Sequence, residues 1–412
     1  MSKIVILGAG TAGTMMASHL TKRLNLKECE ITIVDQYKTH YYQPGFLFIP
    51  FGIYKPEDVT KTIDELIPKT VNLVREEIDR IDHGNNQVLL KSGNTLRYDI
   101  LIIATGCKTA PEEVEGMKGD YWYKTIFDFH TFEGSCALAE KLKNWEGGKF
   151  VVHLTEMPIK CPVAPLEFTF LADAFFRKKG MRDKVDITYV TPLSGAFTKE
   201  KASKALEYLL QEKNIHVVPD FAVEHIEGEN GKLFDYGGEE VNFDLLVTIP
   251  TNKGDECIAR SGFGDDLNFV PTDKFTLQSK VKDNIFVIGD ATNVPTSKAG
   301  SVAHFESEIL TENIVNYIEG KPLKEDFDGH ANCYIETGHG KALLIDFNYD
   351  IEPVKGKFPF AGIGPFSLLT ESRINHWGKL IFKWIYWHIL LKGRKIPFVT
   401  ARMSKAGKKL SD

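Results

Sequence analysis

Residues 3–13 read KIVILGAGTAG and decide the fold class. The apolar run Lys3–Leu7 predicts a buried parallel strand, and Gly8, Gly10 and Gly13 predict a tight turn into a helix. The first glycine allows the turn, the second lets main-chain amides approach a pyrophosphate, and the third lets helix and strand pack closely. The N-terminus of the helix adds a positive field for the phosphates. The stretch therefore predicts a dinucleotide-binding unit.

An acidic residue follows the next predicted strand. Residues 30–34 read EITIV and end in Asp35, which lies 22 residues after Gly13. In a βαβ unit with this spacing, the carboxylate binds the ribose hydroxyls of a dinucleotide. The order of strand, glycine turn, helix, strand and acid is much more specific than the glycine motif alone.

Two later strands also end in small or acidic residues. Residues 98–103 (YDILII) run into Ala-Thr-Gly at 104–106, and residues 285–288 (IFVI) run into Gly289 and Asp290. Together with the first loop, these signatures resemble those of the two-dinucleotide-binding-domain flavoproteins. The resemblance implies FAD as the cofactor, with Asp290 bonded to its ribityl chain, although an aspartate here also suits a helix N-cap.

The resemblance further implies a set of FAD contacts at and beside these strand ends. They are Gly8, Gly10, Thr11, Ala12, Gly13, Asp35, Gln43, Ala104, Thr105, Gly106, Gly289, Asp290, Lys298 and Gly300. Lys298 falls where relatives place groups near the N1/O2 edge of the flavin or the quinone. A cation there would stabilise a reduced, anionic flavin; a solvated loop lysine fits the sequence equally well.

A second βαβ unit opens at residues 148–154 (GKFVVHL) but lacks a glycine loop. The turn that follows, residues 155–167, reads TEMPIKCPVAPLE, with three prolines and no glycine. Such a turn cannot form the amide cradle that a pyrophosphate needs. The next strand, residues 186–190, ends in Thr191 rather than in an acid. The sequence therefore predicts an electron donor other than a nicotinamide.

Two cysteines suggest what that donor is. Cys161 in Cys-Pro-Val-Ala-Pro and Cys333 in Asn-Cys-Tyr-Ile-Glu-Thr-Gly resemble residues of the sulfide:quinone oxidoreductases and of the flavin subunit of flavocytochrome c sulfide dehydrogenase. The resemblance implies that both meet at one face of the flavin and form a disulfide or polysulfide bridge that sulfide opens. A thiolate is both a strong nucleophile and a good leaving group. Cys333 alone would be as consistent with a packed core thiol.

The chain departs from the commonest pattern of that family. Many members carry a third functional cysteine in the region that corresponds to residues 123–130, where this chain has none. This favours a branch that uses two cysteines. The other four, Cys29, Cys107, Cys136 and Cys257, are expected to be ordinary thiols.

Proton transfer needs an acid or base near the cysteines. Glu167 lies six residues after Cys161, at the start of a predicted helix, and is a candidate proton relay. The alternative is a first-turn charge that complements the helix dipole. Glu156 and His130 are weaker candidates.

The C-terminal segment combines apolar and basic residues at helical spacing. The apolar or aromatic positions are Ile374, Trp377, Leu380, Ile381, Trp384, Ile385, His388 and Leu391, and the basic ones are Lys379, Lys383, Lys392, Arg394 and Lys395. The pattern, with a further tryptophan at Trp387, predicts a helix in a membrane interface; a helix docked on the core is the alternative. Quinone would enter from the lipid, with Phe358, Phe360 and Phe366 as candidates to stack on it.

Composition and charge agree with a multidomain globular protein that has a basic end. The chain has 412 residues, 43% of them hydrophobic and 26% charged, with a net charge of -6. Residues 372–412 hold ten Lys or Arg and one acidic residue, so the rest carries -15. The basic end predicts an anionic surface as partner. No run of about 18 apolar residues and no signal peptide are recognised.

These observations predict an α/β protein with two Rossmann-like domains and a C-terminal membrane-interface region. The expected boundaries are 1–110 with 275–330 for the FAD domain, 111–274 for the second domain and 331–412 for the C-terminal region. The expected activity is FAD-dependent oxidation of sulfide to sulfane sulfur with electron transfer to quinone. The protein is expected to be a peripheral membrane protein, with a homo-oligomer as an open alternative, and to need neither metal nor nucleic acid. The alternatives are a sulfide dehydrogenase subunit that reduces a cytochrome, a type II NADH:quinone dehydrogenase, and a flavoprotein that only binds a partner.

Overall fold

The computed structural model describes residues 1–410. Its strands are β1 Ser2–Leu7, β2 Cys29–Val34, β3 Thr39–Tyr41, β4 Thr60–Thr62, β5 Asn72–Val74, β6 Ile78–Asp82, β7 Gln87–Leu90, β8 Thr95–Arg97, β9 Ile100–Ile103, β10 Cys107–Thr109, β11 Ile126–Phe127, β12 Gly148–Leu154, β13 Val185–Val190, β14 His216–Val218, β15 Val223–Glu227, β16 Lys232–Asp235, β17 Glu240–Asn242, β18 Leu245–Ile249, β19 Asn252–Gly254, β20 Ile285–Val287, β21 Ala331–Gly338, β22 Lys341–Phe347, β23 Gly356–Phe358 and β24 Phe366–Leu368.

The α-helices cover the sheets and connect their strands. They are α1 Thr11–Arg23, α2 Ile63–Leu66, α3 Phe132–Asn144, α4 Ala164–Lys178, α5 Glu200–Glu212, α6 Glu256–Ser261, α7 Gly300–Ile318 and α8 Arg373–Ile385, and α8 continues into a π-helical turn, Tyr386–Leu390.

The first sheet is parallel and has the strand order β20-β9-β1-β2-β5. Its central strands are apolar and almost fully buried because helices and loops cover both faces. In a parallel sheet all carboxyl ends meet at one edge, so the loops after β1, β2, β9 and β20 lie side by side. Each of these loops carries one of the predicted dinucleotide signatures.

The second sheet repeats this plan with the order β11-β18-β12-β13-β14, again parallel. Helix α4 starts in the turn after β12 and packs against β12 and β13. The two parallel sheets confirm the predicted α/β fold with two Rossmann-like units. The domain boundaries stay a prediction, although the first sheet takes strands from residues 2–103 and 285–287 and the second from residues 126–249.

A third sheet, with the order β21-β22-β24-β23, follows the Rossmann-like units in the chain. Helix α4 packs on β21, and α8 packs on β22 and β21. The sheet therefore joins the helix that follows Cys161 to the helix of the C-terminal region. Across residues 1–410, no helix has both the length and the apolar character required to cross a bilayer.

Candidate active site

The four loops at the edge of the first sheet enclose space that suits a dinucleotide. A Cβ on Gly8 would lie 2.5 Å from the carbonyl of Ala104, and one on Gly13 would lie 1.9 Å from the carbonyl of Gly8. A Cβ on Gly10 would meet nothing within 4 Å. Two glycines are thus required by packing, while the third faces open space in front of the N-terminus of α1, whose N-cap makes no side-chain hydrogen bond. Free helical N–H groups beside open space fit a pyrophosphate.

Two acids, Asp35 and Asp290, lie at this edge of the first sheet. Asp35 accepts hydrogen bonds from the amides of Ala9 at 2.7 Å and Tyr37 at 2.8 Å, and burial raises its pKa. Burial also raises the pKa of Asp290, against the opposing charge of Lys298. The hydroxyl of Thr105 is buried without a partner. A polar ligand would satisfy such a group, so these residues fit FAD.

The other predicted FAD contacts divide between the loop after β20 and its neighbours. Lys298 donates to the carbonyls of Asp290 at 3.0 Å and Thr292 at 2.6 Å, and its ammonium lies 3.9 Å from the ring centroid of Phe269. Its buried ammonium therefore braces this loop and is not solvated. Gly300 opens α7, and a Cβ there would also meet nothing within 4 Å. The remaining positions, Ala12, Gly106 and Gly289, lie in the same group of loops.

The proline-rich turn of the second unit is bonded to this region. Cys161 has a φ of 50°, a left-handed conformation that is unusual for a residue with a side chain. Its N–H donates to the carbonyl of Lys298 at 2.7 Å, and its carbonyl accepts from Ala164 at 2.8 Å, in the first turn of α4. The amide of Lys160 donates to the buried side chain of Asn252 at 3.0 Å, and its ammonium donates to Gln43 at 3.1 Å. These bonds hold Cys161 beside the N-terminus of α7.

Strand β21 brings the second cysteine to the same place. The carbonyl of Asn332 accepts a hydrogen bond from Ser301, in the first turn of α7, at 2.7 Å. The next residue is Cys333. Burial raises the pKa of Cys333, and the charge of Cys161 adds to this rise. Burial and Glu167 raise the pKa of Cys161 to about 12, and both cysteines are free thiols here.

Glu167 is fully buried and faces an ammonium group. Its carboxylate oxygens lie 2.9 and 3.1 Å from the Nζ atom of Lys379, and one of them accepts the amide of Glu336 at 2.9 Å. Lys379 also donates to the carbonyl of Tyr334 at 3.0 Å. Both charges act on both cysteines. Glu167 is therefore not a solvated first-turn charge, and the prediction that Lys379 belongs to the basic outer face of α8 is wrong, because that side chain points inward.

Sequence reasoning missed a second buried acid near the cysteines, Glu336 on β21. Glu336 has a side chain that is 1% exposed, and both of its oxygens lie 2.9 Å from Nδ1 of His376, which is 20% exposed. Burial raises the pKa of Glu336 to about 7, with His376 opposing the shift. The available signal was an acid within the strand that carries Cys333 and a histidine three residues before Lys379, on the same face of α8.

The weaker candidates do not join this cluster through the described contacts. Burial lowers the pKa of His130 well below its usual range, so its imidazole is neutral; its carbonyl accepts from Lys160 at 3.2 Å. Glu156 is partly exposed in the turn after β12. Cys107 is buried 3.8 Å from the carboxylate of Asp290, and Cys136 lies half-buried on α3.

The outer face of α8 is apolar and exposed. Ile374, Trp377, Ile381 and Trp384 are each 52–61% exposed and recur at helical spacing. The predicted stripe does not continue, because Leu391 is fully buried together with Tyr386 and Leu390. The end of the helical segment is therefore docked on the protein while its beginning faces outward.

The three predicted quinone-stacking rings lie in or near the third sheet. Phe358 pairs with Phe366 across β23 and β24, and the ring of Phe366 contacts that of Tyr334 edge-on, with centroids 5.6 Å apart. Phe360 is 40% exposed and contacts Phe398 instead. Phe366 therefore reaches the strand of Cys333, Phe358 lies beside it on the outer strand β23, and Phe360 belongs to a separate exposed patch.

Comparisons with known proteins agree with this geometry. Residues 2–152 match the family model for pyridine nucleotide-disulphide oxidoreductases. The chain is 29% identical over 400 residues to the mitochondrial sulfide:quinone oxidoreductase of Dictyostelium discoideum, a match that covers 96% of this chain and 87% of that protein. It is 25% identical over 383 residues to a type II NADH:quinone oxidoreductase of Staphylococcus aureus, covering 86% and 91%.

A solved structure shows the same fold. The sulfide:quinone oxidoreductase from Aquifex aeolicus superposes with a TM-score of 0.80 at 23% identity, over 96% of this chain and 92% of that one.

Proposed function

We propose that this chain, a homologue of the sulfide:quinone oxidoreductases, is a flavoenzyme that oxidises sulfide to sulfane sulfur and transfers the electrons to a quinone. The main supporting observation is that the segments of two cysteines from different parts of the chain are bonded to the N-terminus of α7: Cys161 donates to Lys298, and the residue before Cys333 accepts from Ser301. The dinucleotide loops of the first sheet end at the same helix.

FAD, bound at the edge of the first sheet, accepts two electrons from sulfur and passes them to the quinone. The two cysteines supply the sulfur atoms that exchange with sulfide. Their raised pKa values favour the protonated thiols, so a nearby base must take the proton when either thiol reacts. Glu167 fits this role because it raises the pKa of Cys161, while Lys379 stabilises negative charge at both sites.

The turn after β12 argues against NADH as the donor. In place of a glycine loop it has Cys161 and the three prolines, and its amides at positions 160 and 161 are already bonded to Asn252 and Lys298. A pyrophosphate would need free amides there. This observation separates the chain from the type II NADH:quinone oxidoreductases that it also resembles.

Sulfide-driven reduction of the flavin tests the proposal. The holoenzyme is mixed anaerobically with sulfide or with NADH, and the absorbance of the oxidised flavin is followed. We expect rapid bleaching by sulfide and recovery when a long-chain quinone is added. Bleaching by NADH alone would overturn the proposal in favour of an NADH dehydrogenase, and recovery only with a cytochrome would favour a sulfide dehydrogenase.

A finer part of the proposal concerns the membrane. The exposed face of α8, with Trp377 and Trp384, suits the interface of a bilayer, and Arg394 and Lys395 add positive charge nearby. The exposed side chains of Phe360, Ile363 and Phe398 add a second apolar patch in the C-terminal region. Such a surface gives a lipid-soluble quinone a short route to Phe358 and Phe366.

Vesicle binding tests the membrane contact. Replacing both Trp377 and Trp384 by Gln should weaken binding to vesicles of phosphatidylcholine and phosphatidylserine by about tenfold or more, since two large apolar side chains are lost. The control is Tyr236→Gln, which removes an exposed aromatic ring from a hairpin of the second unit. Equal binding of both variants would contradict the assignment of α8.

A further inference from the structure

The buried acid Glu336 lies between the cysteine site and the surface. Its amide donates to Glu167, and its carboxylate is bonded to His376. Lys379 attracts both carboxylates: it lowers the pKa of each, and each raises that of Lys379. The ammonium contacts Glu167 directly, at 2.9 and 3.1 Å. The long flexible stem of a lysine lets such an ammonium move toward a second carboxylate nearby.

His376 is the member of this group that reaches the outside. Its side chain is 20% exposed, against 1% for Glu336 and 10% for Lys379. Its ring centroid lies 5.8 Å from that of Trp377, on the exposed face of α8. The sequence of groups from the thiols outward is thus carboxylate, ammonium, carboxylate and imidazole. Each of these groups can accept a proton or release one.

A second imidazole–carboxylate pair on the same sheet shows what a purely structural pair looks like. His330 and Asp346 are bonded at 2.8 Å, with side chains 2% and 0% exposed. Lys408 neutralises Asp346 at 2.5 Å, and the ring of His330 is stacked on Phe305. That pair is buried away from solvent, and Lys408 balances the charge of its carboxylate. The Glu336–His376 pair instead opens to the surface at one end and adjoins the cysteine site at the other.

We infer that the Glu336–His376 pair is the proton outlet of the sulfur half-reaction, an inference that rests on the proposed function. Oxidation of one H₂S to sulfane sulfur releases two electrons, which pass to FAD, and two protons; reduction of FAD to its anionic reduced form consumes one of these protons, so one must leave the site. Glu167 takes this proton at the cysteines while the ammonium of Lys379 stabilises the charges beside it, Glu336 receives the proton, and His376 releases it at the surface beside α8. The relay forms and breaks no covalent bond other than those to the protons.

Several titratable groups face Glu336 and determine its ionisation. They are His376 and Lys379 on α8, Glu167 on α4, and Tyr54 from the loop before the short helix at 56–59. The hydroxyl of Tyr54 is buried without a partner. With a pKa of about 7, Glu336 is an acceptor above neutral pH and is protonated below it. The outlet should therefore slow as the pH falls through 7.

The test is stopped-flow reduction of the oxidised holoenzyme by sulfide between pH 6 and 8.5. At each pH the rate of the variant is divided by that of the unmodified enzyme, because this ratio cancels the ionisation of sulfide itself. Glu336→Gln and His376→Ala should each lower the rate about tenfold above pH 7, with a smaller loss at pH 6. Added imidazole should restore the His376→Ala rate at least in part. Reoxidation of dithionite-reduced enzyme by a long-chain quinone should change by less than about twofold.

Matched controls make the outcome decisive. His339→Asn removes an exposed imidazole from the β21–β22 turn, at a left-handed φ of 52° that asparagine tolerates, and should have no effect. Glu336→Gln keeps the size of the side chain and one acceptor oxygen for His376, so it provides a folded variant if His376→Ala is unstable. A native rate ratio at all pH values, a loss without imidazole rescue, or a loss confined to quinone reoxidation would overturn the inference. If sulfide does not bleach the flavin of the unmodified enzyme, the proposed function itself is wrong, independently of the role of Glu336 and His376.

Discussion

The two Rossmann-like units have the same arrangement of strands, but the loop after the first strand differs in sequence and in hydrogen bonding. After β1 the loop is Gly8–Gly13, its middle glycine faces open space, and the N-terminus of α1 is uncapped. After β12 the loop has prolines at three positions and holds Cys161 in a left-handed conformation, with its amide bonded to Lys298. The first loop offers free donors to a ligand, whereas the second uses its donors within the protein.

The comparison shows that the topology sets where a group can lie and the loop decides its chemistry. Both loops are at the carboxyl edge of a parallel sheet, the usual place for ligands in such folds. In one unit the edge is left open for the phosphates of a cofactor. In the other the edge holds Cys161, whose amide is bonded to the loop after β20 of the first unit.

The largest effect is expected from closing the first loop. Gly13→Val would place a Cβ 1.9 Å from the carbonyl of Gly8 and force the strand and helix apart. The protein should be purified without FAD and without activity, which the flavin absorbance of the pure protein measures. The matched change at Gly10, where a Cβ meets nothing, is Gly10→Ala; it should keep the fold, measured by circular dichroism. Tight FAD binding by Gly13→Val would break the comparison.

Removing the thiol from the second loop should abolish sulfide oxidation and spare the cofactor. Cys161→Ser keeps the loop geometry but loses the nucleophilic sulfur, so steady-state sulfide oxidation should fall roughly 10³-fold or more. The flavin spectrum should remain. Cys136→Ser, a half-buried thiol on α3, is the control and should retain near-native activity. Full activity in Cys161→Ser would show that the second loop does not do redox chemistry.

The third effect concerns the helix that the second loop starts. Glu167→Gln removes the carboxylate that the buried ammonium of Lys379 contacts, which should lower the free energy of unfolding by about 3–5 kcal/mol. The double variant Glu167→Gln with Lys379→Met removes both charges and should recover much of that loss. Urea unfolding, with FAD content measured in parallel, checks both values. If the single variant is as stable as the unmodified protein, Glu167 and Lys379 do not form the buried pair described here.

The smallest signal is expected from nicotinamides. Because the loop after β12 has three prolines and its amides at 160 and 161 are bonded within the protein, NADH and NADPH should reduce the flavin no faster than the background rate. Stopped-flow mixing at millimolar NADH measures this rate. The same preparation must be bleached by sulfide, so that the lack of reaction reflects the donor. Rapid reduction by either nicotinamide would erase the distinction between the two loops.

Local patterns in the sequence predicted the parallel strands, the glycine loop and the absence of a second one. Each of these depends on residues close together in the chain, where periodicity and turn chemistry are informative. The outward face of α8 was also predicted. Its inner face was not, because an amphipathic pattern cannot distinguish a lysine at the surface from Lys379, which meets its partner only after α4 and α8 have packed on the same sheet.

Pairs that are distant in the chain were beyond such reasoning. Glu336 and His376 are 40 residues apart, and Glu167 and Lys379 are 212 apart. Only the packing of β21 between α4 and α8 makes these side chains neighbours. The cysteines were recognised by resemblance, and their roles, like those of the FAD contacts, stay predictions that the variants above address.

The π-helical turn after α8 has a consequence for engineering. The hydroxyl of Tyr386 is bonded to Thr11 and to His40, each at 2.7 Å, and Ser18 on α1 donates to the carbonyl of Leu391, also at 2.7 Å. The segment that faces outward is therefore clamped to the helix of the glycine loop. Deleting or replacing this segment would therefore also remove hydrogen bonds to α1. A detergent-free version of the protein should keep this clamp intact and change only outward-facing side chains such as Trp377 and Ile381.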